Sequence, residues 1–479
     1  MQTLAFDPAD AKAALMQLPQ AAAVYALYGA EAHFEPYIGR TPNLRARLAR
    51  LLQPSEKHPR RLQLAGRVRR IEWRLTGSEF ESLLTQFELL QEVHGTKCLE
   101  RMHLRSPAFV RFLGGNPYPR IVVTHRPSQR EAEWAYGPFA SRAAAERFAD
   151  EALKLFLLRR CTEDLDPNPS HPGCVYSEMK MCLAPCYQGC TDERYGEEAA
   201  AVERFLATRG ESRLVQLRTE RDQASANLEF ESAAALHAQV QRVETVRALA
   251  PELVRPLSQL RAVILQASAN PGEVAVFLFE NNRLSGPAGF STLGMRIQNE
   301  QSGSSSLFAQ PVMIEPIPEA PTAGATVAGR AGMEAALLNK PGDAAPAEGV
   351  LGEATASPST TFAAENASNF AQDDSPLALQ SSIGGAMAGE GLPAPVKLAR
   401  GVLEARLEAA LAELADPKAP SPILRQGHLA LLKRWYYRPE ARRSGEIFFP
   451  DAEGHWPVKA ILRGAGRVAA KMLAPAARD

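Results

Sequence analysis

Five of the six cysteines in this 479-residue chain fall within one window of thirty residues: Cys161, Cys174, Cys182, Cys186 and Cys190. Twelve residues separate the first two, seven the next two, and three separate Cys182 from Cys186. Thiolates are soft ligands, and four of them suit either tetrahedral zinc or an iron–sulfur cluster. Spacing alone does not separate those two. Disulfides are one alternative and buried, inert cysteines another. No apolar signal peptide opens the sequence, which predicts a reducing, cytoplasmic compartment and argues against disulfides. Scatter rarely places five of six cysteines so close together, so ligation is the stronger expectation.

Length allows two to four domains, and a hydrophobic content of 45% is enough for real cores. No run of eighteen or more apolar residues occurs, so no membrane span is expected. Lys plus Arg balances Asp plus Glu at 54 each, so net charge suggests no partner. Local charge does: Arg40 to Arg74 holds eleven Lys or Arg against Glu56 and Glu72. A basic face of that kind attracts phosphate backbones, although charge runs are more commonly solvated surface.

The N-terminal part reads strand, strand, helix, strand, helix. Ala21 to Leu27 and Phe34 to Gly39 suit strands. Pro42 to Leu52 carries Leu44, Leu48, Leu51 and Leu52 at helical spacing, with Asn43 or Thr41 as cap. Arg69 to Leu75 suits a third strand, and a helix from Ser78 to Val93 has Ser78 at its N-cap. Further on, Tyr118 to Thr124 suits a strand, Tyr136 to Phe139 a turn, and Arg142 to Leu158 a helix that delivers Cys161. Leu214 to Val246 is a polar helical pair. Ala262 to Leu265, Glu273 to Phe279 and Arg283 to Phe290 suit strands, with Asn281-Asn282 as a turn. Residues 297 to 395, rich in Ala, Gly, Ser and Pro, read as disordered linker. Val396 to Leu414 is an amphipathic helix. His428 to Arg438 mixes aromatics with basic residues, which suits either DNA contact or half-buried core.

Several of these stretches resemble the UvrC family, the incision subunits of bacterial nucleotide excision repair. The resemblance rests on Phe156 to Cys161, Pro172-Gly173-Cys174-Val175-Tyr176, Cys182-Leu183-Ala184-Pro185-Cys186, Tyr136-Gly137-Pro138-Phe139, and Leu228-Glu229-Phe230-Glu231-Ser232-Ala233-Ala234. It implies a 4Fe–4S cluster on Cys161, Cys174, Cys182 and Cys186, with zinc as the alternative and Cys190 outside the set. The Leu228 to Ala234 stretch resembles the UVR motif, which implies a helical hairpin that docks on a UvrB-like protein through Leu228, Phe230 and Ala233.

The N-terminal stretch resembles the GIY-YIG nuclease domain of that family, with Val24-Tyr25 and Tyr37-Ile38-Gly39 at the two motif positions. By that resemblance Tyr37 activates the nucleophile, Tyr25 is its partner, Arg47 stabilises phosphate charge, and Arg40 replaces a lysine. The family holds one divalent metal, Mg or Mn, on a glutamate of the second helix; here that position falls on Gln86. A neutral amide is a weak ligand for a hard cation. Glu88 fits only if the alignment slips by two residues, which is roughly 200° around a helix. Glu79 shares the face but lies two turns back, about 10 Å away.

The expectation is an α+β, multi-domain, cytoplasmic protein of the short, Cho-like UvrC form, lacking the RNase H-like nuclease. Its parts are a nuclease-like domain (15–100), a connecting and Cys-rich region (107–212), a UVR hairpin (213–248), a β-rich segment (255–296), a linker (297–395) and a helical basic module (396–479). Damaged double-stranded DNA and a UvrB-like protein are the implied partners. The function is either incision or binding without incision.

Overall fold

The computed structural model describes residues 1–31, 34–52, 64, 66–125, 134–293, 295 and 400–473. The stretch read as linker, 297–395, lies outside them. The described residues form three antiparallel four-stranded sheets with helices, an α+β architecture. None of their helices is long and apolar enough to cross a membrane.

The N-terminal elements are β1 (Gln2–Ala5), α1 (Ala11–Met16), β2 (Ala23–Gly29), β3 (Tyr37–Thr41), α2 (Leu44–Leu52), β4 (Val68–Leu75) and α3 (Glu79–His94). The sheet order is β1-β4-β2-β3. Leu44, Leu48 and Leu52 of α2 are fully buried against Tyr25, Leu27 and Val68, as their helical spacing predicts. Asn43 Oδ1 accepts from the Ala46 N–H at 2.9 Å and starts α2; Ser78 Oγ accepts from the Glu81 N–H at 3.1 Å and starts α3.

The middle elements are α4 (Cys98–Arg101), β5 (Ala108–Phe112), β6 (Ile121–Thr124), β7 (Ala135–Phe139), α5 (Arg142–Leu153), α6 (Val175–Glu178), α7 (Asp192–Ala207), α8 (Glu211–Ala226), α9 (Phe230–Ala248) and β8 (Arg255–Pro256). Their sheet runs β6-β5-β7-β8. Tyr136 to Phe139, expected as a turn, is the strand β7. Its side chains are buried, and Tyr136 and Phe139 both pack on Phe148 of α5. The core here is continuous from α5 through α7 to the base of α9, where Val240, Val243 and Val246 are buried.

The last elements are β9 (Ala262–Ala267), β10 (Glu273–Glu280), β11 (Arg283–Ser291), α10 (Arg400–Leu414), α11 (Pro422–Tyr436), β12 (Glu446–Phe448) and α12 (Val458–Leu473). The sheet order is β11-β10-β9-β12. The segments 255–296 and 396–479, distinct in sequence, therefore share one sheet, because Ile447 pairs with Ile264. Both faces of that sheet are covered. Val263, Leu265, Val274 and Val276 meet α10 and α12. Ile264, Phe277 and Phe279 meet Phe80 and Phe87 of α3 and Leu429 and Trp435 of α11. Two-sided burial explains why β9 and β10 read as continuous apolar runs and do not alternate. Asn281 and Asn282 both take positive φ, which closes the β10–β11 hairpin in the favoured twist.

The aromatic-basic stretch of α11 belongs to this core. Trp435 is buried beside Phe80, and the Tyr437 hydroxyl donates to the Pro138 carbonyl at 2.9 Å. The Trp435 ring is therefore not available to stack on bases.

Candidate functional site

In the N-terminal sheet, Tyr25 and Gly39 are paired residues of β2 and β3. A Cβ at position 39 would lie 2.7 Å from the Tyr25 hydroxyl. The glycine of Tyr37-Ile38-Gly39 therefore leaves room for the Tyr25 ring, which sits 6.3 Å from the Tyr37 ring. Ile38 turns the other way, toward the α3 core. Arg47 on α2 donates from Nε to the Tyr25 hydroxyl at 3.4 Å. Tyr25, Tyr37 and Arg47 thus meet. Burial pushes the Tyr25 phenol up, and the Arg47 hydrogen bond opposes that shift.

Helix α3 carries Glu79, Gln86 and Glu88. Glu79 accepts two hydrogen bonds from Arg438, each at 2.7 Å, and one from Arg40 at 3.3 Å. This clamp holds the Glu79 carboxyl down at about 2, with the Arg438 hydrogen bonds as the largest cause. Glu88 is half-buried, and its carboxyl is pushed up by burial against the opposing fields of Arg74 and Arg283. Gln86 is half-buried on the same helix.

The cysteines occupy the loops between α5 and α7. Cys174 caps α6, its N–H donating to Ser177 Oγ at 3.0 Å. The Ala184 N–H donates to Cys182 Sγ at 3.2 Å, and the Cys186 carbonyl accepts from the Asn168 N–H at 2.9 Å. Burial pushes the Cys182 thiol up to about 11, and Cys161, Cys186 and Cys174 each add to the shift. The four thiols therefore lie close enough for their charges to act on one another. Cys190 is influenced by Asp192, Arg194 and Cys186, at the margin of the group. Among the described residues no three of the sulfurs lie within 4.8 Å of one another. A zinc–thiolate tetrahedron would hold its sulfurs about 3.8 Å apart.

One residue of this region carried no role in the sequence reading. Arg159 is only 1% exposed. Its Nε donates to the Tyr118 carbonyl at 2.9 Å, and its Nη1 to the Glu163 carbonyl at 2.7 Å and to Cys161 Sγ at 3.5 Å. Its Nη2 is buried without a partner among the described residues. A buried guanidinium with a spare donor implies a negative neighbour. The Arg-Arg-Cys sequence was the available signal. The Arg438–Glu79 clamp had none, because its partners stand 359 residues apart.

At the hairpin, α8 and α9 are joined by a turn in which Leu228 takes φ 62°. Leu228 is 71% and Phe230 68% exposed, while Ala233 is half-buried. Arg218 of α8 pairs with Glu244 of α9 at 2.8 Å. The apolar tip projects from a buried base.

Comparison with known proteins agrees with this anatomy. Residues 109–205 match the UvrC/Cho excinuclease middle domain, and residues 211–246 the UvrB/UvrC motif. Through those two regions the chain is similar to UvrC-family proteins. The UvrABC system protein C of Alcanivorax borkumensis is 30% identical over 242 residues, which is 50% of this chain and 39% of that protein. The protein of the same name from Pseudomonas entomophila is 29% identical over 50% of this chain and 39% of its own length. That from Ruminiclostridium cellulolyticum is 27% identical over 62% of this chain and 48% of its own length. The chain thus spans less than half the length of these curated UvrC relatives. No solved structure matches it.

The Glu79 clamp predicts a pH dependence. The folded-state pKa, about 2, lies below the ordinary 4.5, so the clamp stabilises fully above about pH 4.5. That contribution fades as pH falls toward 2. Glu79→Gln should lower the melting temperature at neutral pH, and the gap from wild type should close in acid. An unchanged gap across that window in thermal unfolding would show that the clamp contributes nothing.

Proposed function

We propose that this chain is a UvrC-type subunit of bacterial nucleotide excision repair that binds damaged double-stranded DNA together with a UvrB-like protein. The observation that carries this reading is the UVR hairpin with its exposed Leu228 and Phe230, rooted in a UvrC middle domain. Two large apolar side chains left in water at the tip of a polar hairpin suit a protein partner.

The cysteine quartet fits a 4Fe–4S cluster held by Cys161, Cys174, Cys182 and Cys186. Four soft donors stand in the loops between α5 and α7, close enough for their charges to act on one another, and such a set suits a cluster, with zinc as the alternative. The buried, under-used Arg159 guanidinium beside Cys161 suits a group of net negative charge. Bound there, such a cluster would tie the loops together and hold the thiolates ionised.

The N-terminal site suits phosphate binding. Arg47, Tyr25 and Tyr37 supply donors, and that task needs only donors and positive charge. Incision also needs a divalent metal, Mg or Mn, beside them. Glu79 is engaged by two arginines, Glu88 stands in the fields of Arg74 and Arg283, and Gln86 is neutral. This placement of carboxylates favours the second reading, a DNA- and UvrB-binding accessory subunit without incision.

Three measurements test these proposals. Phe230→Ala should weaken binding to a UvrB-like protein by about 1–3 kcal/mol in a titration; unchanged affinity would make the tip incidental. Anaerobically purified protein should contain iron and absorb broadly in the visible; Cys182→Ser should lose both and Cys190→Ser keep them. Stoichiometric zinc without iron would replace the cluster assignment. On damaged duplex with the partner and Mg2+ or Mn2+, the native chain should bind in a salt-sensitive way with little nicking, and Gln86→Glu should raise nicking. Strong nicking by the native chain, lost in Tyr37→Phe or Glu88→Gln, would restore an active nuclease.

A further inference from the structure

A cavity of about 290 Å³ opens at the root of the α8–α9 hairpin, lined by Tyr136, Arg209, Glu244, Arg247, Ala248 and Ala250. Tyr136 is 3% exposed. Burial raises its phenol pKa, and the charges of Arg209, Arg247 and Arg255 act against that rise, Arg209 also through a hydrogen bond to the hydroxyl. Most of the nearby charge is already matched. Arg247 pairs with Glu211 at 3.0 Å, Arg255 with Glu252 at 3.5 Å, and Glu244 with Arg218 at 2.8 Å. Arg209 differs. Among the described residues it has no carboxylate partner. Its Nη2 makes one long hydrogen bond, 3.4 Å, to the Pro251 carbonyl, and its Nε is buried with no acceptor. The backbone also works to put it there. Arg209 takes φ 52°, a left-handed conformation that costs a non-glycine residue free energy. Gly210 follows at φ 83°, where a Cβ would strike the Arg247 stem at 2.8 Å. A guanidinium with a buried Nε that has no acceptor among the described residues, the Tyr136 hydroxyl and a cavity beside them are thus brought together.

We propose that this cavity binds a phosphate-type oxyanion, held by Arg209, Arg247 and the Tyr136 hydroxyl. Guanidinium donors match phosphate oxygens in pairs, and a hydroxyl supplies a third direction. At about 30 Å³ for a water molecule, the space admits a phosphate with room for solvent. The anion comes from a small phosphate compound or from a nucleic-acid backbone; the chemistry is shared. The inference does not depend on whether the N-terminal site cuts DNA.

The test uses the full chain and two probes. In the first, inorganic phosphate is titrated at constant ionic strength and the melting temperature followed. Binding to the folded state should raise it in wild type. Arg209→Gln and Tyr136→Phe should each weaken the apparent affinity about tenfold, the usual scale for losing one hydrogen bond to a charged group. Tyr136→Phe keeps the ring that stacks on Phe148, so it answers even if Arg209→Gln fails to fold. In the second, duplex DNA is titrated at several salt concentrations, and Arg209→Gln should reduce the salt slope by about one if a backbone phosphate is the ligand. A phosphate response with an unchanged slope assigns the site to a small phosphate compound. A changed slope with no phosphate response assigns it to the nucleic-acid backbone. Variants that match wild type in both titrations would overturn the proposal and leave Arg209 as a brace for Pro251.

Discussion

Burial of both faces of the β9–β12 sheet is the constraint from which the rest of this architecture follows. One face takes α10 and α12, the other α3 and α11. The second face matters more for function, because α3 is also the helix that follows the N-terminal sheet. Phe80 and Phe87 are committed to Phe277, Trp435 and His428. Truncating a buried phenylalanine of this kind costs about 3–5 kcal/mol. The helix therefore cannot rotate to bring another side chain forward. Whatever Gln86 and Glu88 can reach is decided by a core that has nothing to do with phosphate.

Charge placement has the same logic in two separate places. Near the cysteines, Arg159 is buried with a spare donor beside Cys161. At the hairpin root, Arg209 is held in a left-handed conformation, and its buried Nε has no acceptor among the described residues. A guanidinium cannot shed its proton to escape desolvation, unlike lysine. Its burial next to acceptors of the wrong number is costly unless something negative completes the set. Glu79 shows the completed version: two arginines, one carboxylate, three hydrogen bonds.

Local physics made much of this legible from sequence. Ser78 and Asn43 cap the helices assigned to them. Asn281-Asn282 closes the expected hairpin, and Tyr25, Tyr37 and Arg47, singled out by their motif positions, lie together. What was not legible depends on partners distant in the chain. The pairing of β12 with β9 joins segments separated by the whole of 297–395. Tyr136 to Phe139 carries turn-forming residues, yet flanking aromatics and a neighbouring sheet make it a strand. Arg438 looked like part of a basic aromatic run, and only the packing of α11 against α3 brings it to Glu79. Local propensity is read from neighbours, whereas these outcomes were set by burial.

The α8–α9 hairpin differs from a tethered peptide in one respect. Its root is fixed: Val240, Val243 and Val246 lie in the same core as α5 and α7. A 16-residue helix such as α8 extends about 24 Å. Leu228 and Phe230 are therefore presented at the end of an arm already ordered when the chain folds. The entropy of arranging that tip is met before any encounter, so a protein docking there loses less freedom than it would on a floppy motif. Substitutions at the root, far from any contact, would then act by loosening the arm: association would grow slower and weaker although every contacting side chain stayed the same.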